Sequence, residues 1–243
     1  MTKPEATFWD HLEVLRQTLL RCLAFFFCLY PVCYALSQPF LTWLLAWSLP
    51  AKLGGMHYFS PLEVFTVRLK LAGVLDLALS YPWLLFQAWR FCAPALYPDE
   101  KRAALWWVAG ASLLFFGGVV FCALGILPLV MRFAASFANE QMEPLLGISE
   151  YLSMVGWMSL AFGAMFQTPI LVMLAVRFGL LTPEGIASKR PYVVVMIFLL
   201  AAFLTPPDVV SQLVLGLPTW GLFELGLLLS RRISVPKSHS AHA

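Results

Sequence analysis

Charge is scarce in this sequence of 243 residues: 16 Lys and Arg with 13 Asp and Glu make 12% of the chain, about half the share found in an ordinary soluble domain. Apolar residues fill 60%, aromatics 15%, and the mean hydropathy is +0.80, which excludes a soluble globular protein. Histidine is nearly missing as well. His11, His57, His239 and His242 all fall outside the apolar stretches, so a Ser-His dyad buried in a membrane would have no base. HExxH and GxSxG do not occur, and neither Asp76 nor Asp208 stands in a GxGD context, which removes the common hydrolytic signatures. Cys22, Cys28, Cys33, Cys92 and Cys122 form no CxxC and have no histidine beside them, so neither a metal centre nor a disulfide framework is expected. These absences predict a protein that is not an enzyme and carries no cofactor.

What is present is a set of long intervals between charges. Arg21 to Lys52 leaves 30 uncharged positions, Arg102 to Arg132 leaves 29, and Glu150 to Arg177 leaves 26. Each exceeds the roughly 20 apolar residues that a spanning helix needs. Residues 71–89 make a further crossing interrupted only by Asp76. Between Arg190 and Asp208 lie 17 uncharged residues and between Asp208 and Glu224 another 15, with Thr205-Pro206-Pro207-Asp208 as the turn between them. At about 1.5 Å per residue these last two reach only about 22 to 26 Å, short of the roughly 30 Å hydrocarbon core, so a short hairpin is expected.

The reading is an all-α integral membrane protein, a single polytopic domain with six spans near 19–36, 63–90, 104–130, 149–178, 191–205 and 211–230. A disordered cytoplasmic tail is expected over 233–243. An even number of spans puts both termini on one side. Lys3, Arg16, Arg21, Arg90, Lys101, Arg102, Arg177, Lys189, Arg190, Arg231, Arg232 and Lys237 gather on that side, against Lys52 and Arg132 opposite, with Arg68 and Lys70 in the far half of the second span. Cationic loops stay in the cytoplasm, so both termini are expected there. The net charge of +3 then reports topology and gives no sign of nucleic-acid binding. Met1 to Leu20 carries both signs of charge and no small-residue cleavage site, so no cleavable signal or transit peptide is expected, which favours a bacterial inner membrane.

Polar groups at membrane depth are costly and are functional candidates for that reason. Asp76, Gln167, Gln212 and Glu224 are the main ones. Asp76 lies six residues beyond Lys70 and eight beyond Arg68, too far round the helix for a paired turn, so a partner on another helix is expected. Gln167 directly precedes Thr168-Pro169, where proline removes a backbone hydrogen bond; it either repairs that kink or binds a partner. Glu224 stands near a helix end, where snorkelling toward water would account for it. Phe40, Trp43, Leu44 and Trp47 share one helical face within residues 38–49, which predicts a separate interfacial helix on the outer surface. Trp106 and Trp107 read as interface anchors. Glu5, Asp10 and Glu13 before the first span, and Asp99 and Glu100 between the second and third, place carboxylates on two cytoplasmic segments. Paired carboxylates suit an arginine-rich ligand, because guanidinium binds them bidentately.

Several ordered motifs carry a resemblance: Trp9-Asp10-His11-Leu12-Glu13-Val14-Leu15-Arg16, Ser60-Pro61-Leu62-Glu63, Ala93-Pro94-Ala95-Leu96-Tyr97-Pro98-Asp99-Glu100-Lys101-Arg102, Phe166-Gln167-Thr168-Pro169, Lys189-Arg190-Pro191-Tyr192-Val193, Thr205-Pro206-Pro207-Asp208-Val209-Val210-Ser211-Gln212 and Leu217-Pro218-Thr219-Trp220-Gly221-Leu222-Phe223-Glu224. Taken together and in order, from about residue 8 to residue 232, they resemble the TatC family, the multi-spanning receptor subunit of the twin-arginine protein translocase. The resemblance implies six spans with both termini cytoplasmic, short fifth and sixth helices and a concave, glove-like shape. It implies export of folded proteins driven by the proton gradient. Glu100 matches the family's loop glutamate for the twin arginines of signal peptides. In the N-terminal motif the family's glutamate position holds Val14, with Glu13 one residue before it. His11, Arg16, Lys101, Arg102 and Phe91 belong to the same implied recognition region. Gln167 and Pro169 match an intramembrane contact with single-span TatA- and TatB-type subunits, where many members carry glutamate; a glutamine there still hydrogen-bonds but cannot titrate. Pro39, Asp208, Gln212 and Glu224 are implied assembly or substrate contacts, and self-association is implied too. Asp76 matches no feature of the family.

The rival reading is a small ion-coupled secondary transporter using Asp76, Gln167 and Glu224. Such folds usually carry two related halves, and no internal repeat is visible in this sequence.

Overall fold

A computed structural model describes residues 8–49, 56–92, 100–136, 147–204 and 209–232. The chain begins with a long helix, α1 (Phe8–Ser48), of 41 residues, about 61 Å at the usual rise and so about twice the hydrocarbon thickness. The expected separate interfacial helix does not exist: residues 38–48 continue α1 straight through Pro39. Hydroxyls cover backbone carbonyls around that proline, Ser37 Oγ donating to the Tyr34 oxygen at 2.7 Å and Thr42 Oγ1 to the Pro39 oxygen at 2.9 Å. The expected aromatic face also divides. Leu44 joins Ser37, Leu41 and Ser48 on a buried stripe, while Trp43 and Trp47 stay exposed.

α2 (Pro61–Cys92, 32 residues) runs antiparallel to α1. Phe25 stacks on Trp83 at 5.2 Å, and Tyr30 donates its hydroxyl to the Leu69 oxygen at 3.1 Å. The third rod is α3 (Glu100–Phe121), a π turn (Cys122–Ile126) and α4 (Leu127–Ser136) in unbroken succession. Within it the Leu127 N–H reaches back five residues to the Cys122 oxygen, immediately before Pro128, which has no N–H to offer.

The fourth rod is α5 (Ile148–Met165) and α6 (Thr168–Arg177), separated by a turn at Phe166 and Gln167. It ends in Gly179, whose φ of +69° lets the Leu180 N–H reach the Ala175 oxygen at 3.0 Å. A left-handed glycine is the cheap way to make that helix stop. A short α7 (Pro183–Ser188), capped by the Thr182 hydroxyl on the Gly185 N–H, leads to α8 (Arg190–Leu204) and α9 (Val209–Ser230).

α8 has 15 residues, as short as the charge spacing implied. α9 has 22, about 33 Å, so the expected short sixth helix is corrected to full crossing length. Its uncharged window ends at Glu224, but the helix does not, because Arg190 of α8 neutralises that carboxylate. Four rods combine length with apolar composition, Leu12–Ser48, Leu105–Ser136, Ile148–Arg177 and Gln212–Ser230; α8 is apolar but shorter, and α2 carries more charge. Together they make six crossing rods. Leu113, Phe203 and Leu19 stand 75%, 84% and 67% exposed, a surface made for lipid rather than water.

The chain divides into two compact units, Met1–Leu113 with Ala134–Gly156, and Leu114–Phe133 with Trp157–Ala243. In the first, α2 packs on α1, and Gly156 of α5 meets the Val74 side chain. In the second, α9 packs on α6, α8 and α7. The expected tail at 233–243 and the Thr205–Asp208 turn lie outside the described residues.

Candidate functional site

The acidic end of α1 is built from neighbours on one helical face. Glu13 lies 3.6 Å from the Arg16 guanidinium and accepts a hydrogen bond from Gln17 Nε2 at 3.1 Å. These are the i,i+3 and i,i+4 spacings at which helix side chains meet. Glu13 and Arg16 keep 54% and 72% of their side chains exposed, so the carboxylate is oriented yet open. A carboxylate has about four acceptor positions, and a ligand guanidinium can share it with Arg16. Val14 is 44% exposed and carries no polar group.

Because α1 and α2 are antiparallel, the start of α1 and the end of α2 lie at one end of the pair. Phe91 is half-buried near that end of α2. Glu100 is the first residue of α3, where a negative charge complements the helix dipole. For His11, Glu100, Lys101 and Arg102 the structure describes the helix position only.

The break between α5 and α6 assembles the polar group at membrane depth. Pro169 cannot donate to the Met165 oxygen, and the Thr168 hydroxyl takes that oxygen instead. The Gln167 N–H turns to the Ala164 oxygen, which leaves the Gly163 oxygen to the Gln167 side chain, Nε2 at 3.5 Å. Gln167 is buried and supports the kink, as one of its two expected roles required. The break also brings α9 very close: a Cβ on Gly226 would stand 2.6 Å from Pro169 Cα. Only glycine admits that approach.

Along α9 the other candidates have partners. Gln212 Nε2 donates to the Phe198 oxygen of α8 at 3.0 Å. Glu224 binds Arg190 at 2.8 Å, with 34% and 46% of those side chains exposed, so a cross-helix ion pair replaces the snorkelling expected for it. Glu224, Arg190, Gly221 and Arg231 border a groove of about 280 Å³ whose floor is leucine. Pro39 is elsewhere, in the first unit, on an apolar groove of about 370 Å³ with Cys33, Phe40, Trp43 and Leu79. Asp208 lies outside the described residues.

Sequence reasoning missed a polar junction in the first unit. Glu63 accepts from the Phe59 N–H at 2.6 Å and, with its other oxygen, from the Ser149 N–H at 3.3 Å, tying the starts of α2 and α5 together. Lys70 donates to the Ser149 and Ser153 hydroxyls at 3.1 and 3.3 Å, and Ser48 bonds the Tyr151 hydroxyl. The Ile148 N–H binds the His57 oxygen at 3.0 Å. The available signal was Ser60-x-x-Glu63, the spelling of a capping box.

Comparison with known proteins decides the family. The model described as Sec-independent protein translocase protein (TatC) matches residues 10–218. The chain belongs to the TatC family. The Sec-independent protein translocase protein TatC of Escherichia coli K12 is 36% identical over 230 residues, covering 91% of this chain and 86% of that one. Its counterpart in Listeria innocua is 32% identical over 231 residues, 95% and 93% of the two chains. A crystal structure of the twin arginine translocase receptor TatC in DDM superposes with a TM-score of 0.80 at 30% identity, over 90% of this chain and 99% of the other. TatC is a translocase component rather than an enzyme, and the all-helical membrane architecture of this chain is the TatC fold.

Proposed function

We propose that this TatC chain is the signal-peptide receptor and core scaffold of a Sec-independent translocase, exporting folded proteins across the bacterial inner membrane with both of its termini in the cytoplasm. The observation that carries this reading is the match to the twin arginine translocase receptor over 90% of the chain. Glu100 and Glu13 receive the paired arginines of the signal peptide. Glu13 stands open on the first turns of α1 with Arg16 and Gln17 orienting it, and Glu100 heads α3. His11, Lys101, Arg102 and Phe91 surround these carboxylates in the chain and shape the same surface. Single-span TatA- and TatB-type helices dock where Gln167 and Pro169 interrupt the fourth rod, with Gln212, Glu224, Asp208 and Pro39 as further contacts. The proton gradient drives transport.

The test is binding of a twin-arginine signal peptide, beside a twin-lysine version, to the protein in lipid nanodiscs. Lysine keeps the charge but lacks the bidentate fork. A hydrogen-bonded charge contact contributes about 1.5–3 kcal/mol, so Glu100→Ala should weaken the arginine peptide by roughly 10- to 100-fold. Glu13→Ala should weaken it less, because Arg16 and Gln17 already occupy part of that carboxylate. Equal binding of the two peptides to the wild type, or an unaffected Glu100→Ala protein, would overturn the assignment.

A further inference from the structure

The inward face of α2 carries a polar stripe that neither the fold nor the recognition surface uses. Asp76, Ser80, Trp83 and Gln87 follow one another at offsets of four, three and four residues, which on a helix puts them within one narrow arc, spread over about 16 Å of axis. Asp76 and Ser80 are fully buried and Gln87 is 1% exposed. The Ser80 hydroxyl donates to Asp76 Oδ1 at 3.2 Å. Asp76 Oδ2, Trp83 Nε1 and both Gln87 amide atoms find no hydrogen-bond partner among the described residues. Among the described residues, the cross-helix partner expected for Asp76 is therefore not found.

Across the interface, α1 brings Tyr30 and Cys33 within electrostatic reach of Asp76 and Phe25 onto Trp83. Arg68, two turns away on α2, lies over the Tyr34 ring at 4.7 Å. α5 approaches this level through Gly156, which meets Val74. Asp76 thus forms no ion pair among the described residues. Extending the antiparallel register by one turn beyond Phe25 and Trp83 sets Gln87 level with Arg21, at the charged end of the pair, with Asp76 deep inside.

Donors and acceptors buried without partners are too costly to persist dry, and a row of them with alternating chemistry is what internal water needs, two to four polar neighbours per molecule. We propose that α2 carries a water-holding track from Gln87 inward through the α1–α2 interface, and that Asp76 at its inner end is a proton-binding carboxyl that exchanges its proton along the track. An uncharged acid is the form in which an unpaired carboxyl resides in an apolar interior. The exchange is balanced: the acid O–H gives its proton to the adjoining water as that water returns another to the same oxygen, with no redox change. The track gives this chain a protonatable group inside the membrane, where its Gln167 supplies none.

The test is infrared spectroscopy of the full chain in lipid nanodiscs, with no cargo or partner, so its outcome is separate from the translocase reading. Wild type should show a carboxylic-acid carbonyl band at neutral pH that Asp76→Asn removes and D₂O shifts. Gln87→Leu should keep the band but slow its shift by about tenfold, the equivalent of one lost relay hydrogen bond. Should Asp76→Asn fail to fold, ¹³C labelling of aspartate in the wild type must displace the same band. No band removed by the substitution or displaced by the label, or a Gln87→Leu protein that exchanges as fast as wild type, would overturn the proposal.

Discussion

The polar candidates of the two units differ in whether they find partners. In the second, each polar candidate does a structural job: Thr168 and Gln167 repair the proline break, Gln212 ties α9 to α8, and Glu224 closes on Arg190. In the first, five buried side-chain atoms lack a hydrogen-bond partner among the described residues, and all five belong to α2, on Arg68, Asp76, Trp83 and Gln87. The difference separates polar residues that hold helices together from polar residues that remain available for chemistry. Burial alone does not distinguish them, since Gln167 and Gln87 are both buried amides.

Six substitutions break or sharpen this contrast. The largest effect is expected at the α6–α9 contact: Gly226→Val puts side-chain atoms into the Pro169 backbone and should cost on the order of 1–3 kcal/mol, read as a lowered Tm in detergent. Next, Gln212→Leu orphans the Phe198 oxygen and should cost about 1 kcal/mol. Gln87→Leu, which leaves no protein group without its partner, should lower Tm less than Gln212→Leu does; the reverse order would erase the distinction between the units. A double-mutant cycle on Arg190→Gln and Glu224→Gln should give a coupling of about 0.5 kcal/mol after solvent screening of a pair this exposed, and added salt should diminish it. The smallest change is expected from Gly221→Ala, where a Cβ meets nothing within 4 Å: a gain of about 0.5 kcal/mol from helix propensity.

The spacing of charges was enough to locate six rods, because the bilayer imposes one length on every crossing. It failed where tertiary contacts override a local signal. The first span read as ending at residue 36, before a separate interfacial helix within 38–49, yet α1 passes through Pro39, with serine and threonine hydroxyls covering carbonyls on either side. The sixth helix looked short because its uncharged window stops at Glu224, and the arginine that neutralises that residue is 34 positions away in sequence. Of the candidate site, the exposure of Glu13 was legible from its place among charged residues. The Glu63 junction was not, because its second acceptor contact is with Ser149, 86 residues on. Gly226 carried no sequence signal at all; its role is visible only against Pro169.

The most direct measurement of the central claim is export of a folded reporter in bacteria lacking their own TatC, supplied with this chain and with single-span TatA- and TatB-type partners. The account predicts that a reporter with a twin-arginine signal peptide reaches the far side of the inner membrane, that its twin-lysine counterpart stays in the cytoplasm, and that Glu100→Ala abolishes export while the protein still accumulates in the membrane. Export that is indifferent to the arginine pair, or unchanged by Glu100→Ala, would contradict it.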